Sequence, residues 1–174
     1  MTAFPNGVLV FDVESVGLHG DAFAVAWVQG DATLNEIGSG SLHIPLEMAE
    51  GDQSGRDWVK ANVTIPDGSI ECKSPRMMRD MFWAVWTLAR TGNSALLAEC
   101  LWPVEANFLS RCVADFAGER NWEGPYPFHD IASIRTAAGL DPLATESRLA
   151  EEQPAHNPLA DARQSLRLLR EAMA

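Results

Sequence analysis

Two carboxylates one residue apart, Asp12 and Glu14, close the apolar run Gly7-Val8-Leu9-Val10-Phe11. A run of that length and composition predicts a buried strand, and residues two apart on a strand share a face. Asp12 and Glu14 therefore project together from the strand's carboxyl end. Side by side they repel each other unless a proton or a cation lies between them. A divalent metal bound by oxygen ligands resolves that conflict. A strand running out into solvent would end on acidic residues just as well, so the pair needs partners elsewhere in the chain.

A second group that could carry chemistry is His156-Asn157-Pro158-Leu159-Ala160-Asp161. Pro158 opens a helix, which places Asp161 in its first turns and leaves His156 on a Pro- and Ala-rich approach. The spacing fits a mobile base and an anchored metal ligand. It equally fits a loop histidine and an acid favoured by the helix dipole. Two further carboxylates stand near the middle of the chain. Glu99 ends an apolar stretch, Ser94 to Cys100, and Glu105 falls in the first turn of a helix opened by Pro103.

The elements that must position these residues alternate along the chain. After the first strand, Ala22 to Gln29 reads as a second, Gly30-Asp31 as a hairpin signal, and Thr33 to Ile44 as a third, less regular strand. Pro45 to about Lys73 is polar and broken by glycine and proline, an irregular insertion with a short helix near Arg56 to Ala61. From Ser74 to Arg90, the residues Met78, Met81, Phe82, Val85, Leu88 and Ala89 form one helical stripe. Ser94 to Cys100 reads as a central strand. The following helix carries Val104, Phe108, Cys112 and Phe116 at steps of four. Tyr126 to His129 predicts a short strand, Asp130 to Ala138 a helix, and Asn157 to Met173 a last helix with Leu159, Leu166, Leu169 and Met173 inward. The expectation is one domain over residues 1–174, an α/β mixed sheet with an antiparallel meander first, then parallel strands, and helices packed on it.

Composition narrows the function. With 47% hydrophobic residues the chain can bury a core. Three cysteines, Cys72, Cys100 and Cys112, show no ligand-like pairing, which suits a reducing, cytoplasmic setting. No stretch reaches the ~18 apolar residues that a membrane span needs. The net charge of −11 argues against gripping long nucleic acid, whose affinity rests on phosphate neutralisation. An acidic chain can still act on a short end if metals supply the positive charge.

Taken together, these segments resemble the DEDD exonucleases, and more narrowly the histidine subtype, the DnaQ-like 3′–5′ exonucleases with a ribonuclease-H-like fold. The resemblance runs through Phe11-Asp12-Val13-Glu14-Ser15-Val16-Gly17-Leu18, then Val104-Glu105-Ala106-Asn107-Phe108-Leu109, then His156 to Asp161. It implies a two-metal phosphodiesterase using Mg²⁺ or Mn²⁺. By analogy Asp12 bridges both ions, Glu14 and Asp161 complete the shell of one, and Glu105 serves the second. His156 takes the proton of the attacking water, a task suited to an imidazole with an ordinary pKa of ~6.5. Short single-stranded RNA or DNA, held at its 3′ end, is the implied partner.

The chain departs from the family in two places. Val16-Gly17 stands where Thr-Gly or Ser-Gly is usual, and the middle motif carries Glu105, on a segment one residue longer, in place of aspartate. Glu105 lies three residues before Phe108, as the family aspartate lies before its phenylalanine, whereas Glu99 falls where histidine is usual. Glu105 is thus the expected third carboxylate, with Glu99 the alternative. A catalytically weak member that binds nucleic acid ends or a protein partner, and a small-nucleotide phosphohydrolase, are the competing readings. Trp83 and Trp86, beside an already complete apolar stripe, predict an exposed patch and hence a homodimer contact.

Overall fold

In the computed structural model, residues 3–142 and 148–174 are described. Three antiparallel strands open the chain, β1 (Val8–Ser15), β2 (Ala22–Gly30) and β3 (Glu36–His43). The β2–β3 turn is held by Asp31, whose Oδ1 accepts from the Thr33 and Asn35 backbone N–H groups at 2.8 and 3.0 Å. Helix α1 (Gln53–Asn62), strand β4 (Ile70–Glu71) and helix α2 (Pro75–Thr91) follow. Then come β5 (Ala95–Ala98), α3 (Val104–Ala114), the short α4 (Ala117–Arg120), β6 (Phe128–Asp130), α5 (Ile131–Ala137) and α6 (Pro158–Ala172). The strands form one sheet in the order β4-β3-β2-β1-β5-β6. β1 pairs antiparallel with β2 and parallel with β5, and β6 extends the parallel half. The antiparallel meander followed by parallel strands matches the sequence expectation.

The alternation of β1 divides the core. Leu9, Phe11 and Val13 enter a cluster with Met78, Phe82 and Trp86 of α2 and Phe108 of α3. Val8 and Val10 point the other way, into a cluster with Leu166 and Leu169 of α6 and Ile131 of α5. Asp12 and Glu14 share the parity of Val8 and Val10, so they leave the sheet on the α6 face. Strand periodicity and helix packing together aim the first carboxylates at the helix that carries Asp161.

Three local expectations are corrected. On α2, Trp83 and Trp86 are buried, at 6% and 5% exposure, whereas Leu88 is 75% exposed. The stripe is therefore centred on Met78, Phe82, Trp86 and Ala89, and the two indoles close the core. The exposed patch inferred for a homodimer is absent from that face, and the dimer argument loses its premise. Phe116 lies beyond the end of α3 and packs between Arg76 and Arg120, whose guanidinium carbons stand 4.3 and 4.7 Å from its ring centre. Met173, expected to point inward, is 41% exposed at the end of α6.

The insertion is also more ordered than its composition suggests. Asp52 caps α1 by accepting from the Gly55 N–H at 2.7 Å, and the helix runs ten residues. Gly55 sits so close to β1's exit that a Cβ there would meet Gly17 N at 3.0 Å and Val16 C at 3.1 Å. Among the described residues, no helix is long and apolar enough to cross a membrane.

Candidate active site

Because β1, β5 and β6 run parallel, their carboxyl ends meet along one edge of the sheet, the place where ligands of open α/β sheets collect. Five carboxylates gather there: Asp12 and Glu14 from β1, Glu99 just past β5, Glu105 in the first turn of α3, and Asp161 in the first turn of α6. Asn157 caps α6 through its side chain, which accepts from the Ala160 N–H at 3.2 Å. Pro158 follows the cap, so the direction of Asp161 is fixed by a well-formed helix start.

Beyond Glu14 the chain turns at Gly17, where φ is +71°, a conformation that favours glycine. The Ser15 hydroxyl closes this turn by donating to the Gly17 carbonyl at 2.7 Å. Val16 is buried in the core.

The electrostatics are those of a site short of positive charge. Asp12 is partly accessible on the cleft floor yet enclosed by protein, and its carboxyl is raised well above the ordinary range. Burial is the main cause, followed by repulsion from Asp161, Glu105, Glu14 and Glu99. Glu14 is pushed up to about 8 by burial and then by Asp161 and Glu105. Glu105 rises to about 7, again mainly through burial, against hydrogen bonds from its own and the Val13 backbone N–H groups. Asp161 is raised by burial, less than it would be without hydrogen bonds from Arg148 and the His156 backbone. Like charges so placed either stay protonated or take up a cation.

One oxygen each of Glu14 and Asp161 and one ring nitrogen of His156 lie within 4.8 Å of one another, a spacing that can hold a metal ion. Two carboxylate oxygens and one imidazole nitrogen are a donor set for a divalent cation.

The two glutamates part company in their partners. Glu105 reaches the β1 backbone beside Asp12 and ranks ahead of Glu99 in its effect on Asp12. Glu99 accepts a hydrogen bond from the Ser165 hydroxyl at 3.1 Å, one helical turn beyond Asp161. Glu99 thus ties α6 to the end of β5.

His156 is not on a free approach. It adopts φ +57°, and its carbonyl accepts from the Thr64 N–H at 2.9 Å. The Trp58 ring meets its imidazole edge-on, with centroids 4.9 Å apart. Helix α1 and the segment after it therefore hold the histidine loop. A pocket of about 260 Å³ opens beside Glu14, lined by Gly17, Leu18, Trp58 and Val104. Larger hollows of about 420 and 470 Å³ lie at the opposite end of the sheet, away from the carboxylates.

Sequence reasoning missed Trp58, Arg148 and Ser165. Trp58 had one signal, a lone large aromatic in a polar stretch. Arg148, whose guanidinium donates to Asp161 and to the Glu152 carbonyl, had none.

This architecture is a ribonuclease-H-like fold, and solved structures share it across nearly the whole chain. The zinc-bound complex of E. coli ExoI with single-stranded DNA superimposes with a TM-score of 0.64 at 15% identity, over 94% of this chain and 39% of that one. Exonuclease I from Methylocaldum szegediense gives 0.60 at 17% identity, over 95% of this chain and 40% of that one. S. pombe Pop2p in its Mg²⁺- and Mn²⁺-bound form gives 0.64 at 11% identity, over 97% and 82%. The chain thus spans about two fifths of the length of the two exonuclease I chains. No protein-family model and no curated protein matches its sequence.

Proposed function

We propose that the chain is a metal-dependent 3′–5′ exonuclease that hydrolyses the terminal phosphodiester of short single-stranded RNA or DNA. The observation that carries this reading is the convergence of Glu14, His156 and Asp161 beside Asp12 at the carboxyl end of β1. The shared fold supports it, since one of the similar structures is an ExoI–single-stranded DNA complex and another is Mg²⁺- and Mn²⁺-bound. Asp12, Glu14, Asp161 and Glu105 would hold two divalent cations. Bound there, the cations supply the positive charge that stabilises the attacking and leaving oxygens of an in-line displacement.

The chain's own groups do the rest. His156, held by Trp58 and the Thr64 N–H, takes the proton of the attacking water as its oxygen bonds to phosphorus. The bond from phosphorus to the 3′ oxygen of the preceding nucleotide breaks, and that oxygen takes a proton from solvent. A nucleoside 5′-monophosphate leaves. The Leu18, Trp58 and Val104 pocket takes the terminal nucleobase by apolar contact.

The test sets a labelled oligonucleotide with a free 3′ end beside the same oligonucleotide 3′-blocked and a panel of free nucleotides, with Mn²⁺ or Mg²⁺. The expected outcome is mononucleotide release from the free 3′ end alone, lost in Asp12→Ala. Cleavage of free nucleotides only would assign a small-nucleotide phosphohydrolase. Tight binding without turnover would assign a non-catalytic end-binding protein.

A further inference from the structure

The site is acidic, yet the proposed substrate is a polyanion. Arginines near the cleft are engaged. Arg111 pairs with Asp21 at 2.8 Å, Arg148 pairs with Asp161, and Arg56 donates to the Leu46 and Ala49 carbonyls. Binding that cannot rely on phosphate contacts has stacking on nucleobases as its alternative, which is tolerant of sequence. The 260 Å³ pocket accounts for one nucleobase. A second aromatic surface stands on the same two loops.

Trp102, on the loop between β5 and α3, is 72% exposed. It lies two residues before Val104, which lines the pocket, and three before Glu105. His19 directly follows Leu18, which lines the same pocket from the other loop. The two rings meet with centroids 6.5 Å apart and planes inclined at 59°. That separation is at the long end of aromatic pairing, and the indole stays largely open to water. His19 thus braces the indole from one side. Exposure alone does not single this ring out, since Trp122 is 86% and Tyr126 74% exposed elsewhere; its place beside the pocket residues does.

Building on the exonuclease reading, we propose that Trp102, braced by His19, is the stacking platform for the second nucleobase from the 3′ end. The occupant is a nucleobase because His19 and Trp102 stand one and two residues from Leu18 and Val104, which line the terminal-base pocket. The smallest substrate that uses the whole site is then a dinucleotide. Trp102 is a specificity residue that takes no part in proton transfer or metal holding.

The experiment compares Mn²⁺-loaded wild type, Trp102→Ala, Trp102→Phe and His19→Ala on three substrates. The first is the p-nitrophenyl ester of thymidine 5′-monophosphate, which presents one base and an aryl leaving group. The second is a dinucleotide, and the third is the same dinucleotide abasic at the leaving-group position. Trp102→Ala should lower kcat/KM on the dinucleotide roughly 5- to 100-fold, mainly through KM, and change the aryl ester less than about twofold. Trp102→Phe should recover most of the loss, and His19→Ala should show a smaller loss of the same kind. Wild type should handle the abasic compound as poorly as Trp102→Ala handles the dinucleotide. Equal losses on the aryl ester and the dinucleotide, or no loss on either, would overturn the platform while leaving the exonuclease reading intact. Wild type that hydrolyses neither the ester nor the dinucleotide removes the exonuclease reading itself, and the platform with it.

Discussion

Replacing Glu14 with glutamine should make the metal-free protein more stable at alkaline pH, against the usual expectation for a buried acid. The carboxyl of Glu14 is moved from 4.5 to about 8, first by burial and then by Asp161 and Glu105. Its folded-state pKa is raised, so the folded chain keeps a proton that the unfolded chain releases. The associated stability is complete below about pH 4.5 and is lost as pH rises through about 8. At about 1.4 kcal/mol per pH unit, the difference corresponds to roughly 3–5 kcal/mol, a large part of the ~5–15 kcal/mol that holds a domain together. Glu105, raised to about 7, adds to the same decline, and the two share their repulsion, so the contributions do not simply sum. Glutamine removes the ionisation and keeps the shape. In urea or thermal melts from pH 5 to 8.5 with a chelator, wild type should lose stability steadily and Glu14→Gln should lose about 2–4 kcal/mol less, which is several degrees or more in Tm. Mn²⁺ should reverse the wild-type decline, with a gain that grows with pH because cations and protons compete for the same oxygens. That gain should shrink in Glu14→Gln. Metal-free wild type with flat or rising stability between pH 5 and 8, or a variant with the same slope, would refute the placement of these charges.

Three further substitutions separate the carboxylates that hold the site from the groups that hold the carboxylates. Glu105→Gln should abolish turnover and weaken the second step of Mn²⁺ binding in calorimetry, whereas Glu99→Gln, which keeps an acceptor for the Ser165 hydroxyl, should leave Mn²⁺ binding near normal and act mainly on stability; the opposite pattern hands the role to Glu99. Arg148→Ala removes the guanidinium that pairs with Asp161, so Asp161 should hold its proton to higher pH. Apparent Mn²⁺ affinity at pH 6 should then fall about tenfold, with a smaller loss at pH 8, and equal losses at both pH values would contradict this.

Much of the site was legible because its information is local. The apolar run before Asp12 specifies a strand, and its period of two puts Asp12 and Glu14 on one face with Val8 and Val10. Asn157-Pro158 specifies a helix start, and a helix start fixes where Asp161 points. Pro103 does the same for Glu105, though its cap makes no side-chain hydrogen bond.

What periodicity could not determine is which neighbour an element meets. The α2 residues allowed two overlapping apolar stripes, and only the packing of Phe82 against Phe11 and Phe108 fixed the rotation that buries Trp83 and Trp86 and leaves Leu88 in water. The polar segment after Pro45 gave no sign of purpose. Folded, it seats Gly55 against Gly17 and sets Trp58 and Thr64 against His156, making an ordered support of an apparent insertion. Likewise nothing local joins Arg148 to Asp161 or Ser165 to Glu99, contacts that span 13 and 66 positions. The sequence alone determined the types, order and facing of the clustered carboxylates, since backbone periodicity acts within a strand or a helix turn. The tertiary structure alone decided which side chains brace them, because those contacts exist only once distant segments have closed on the carboxyl edge of the sheet.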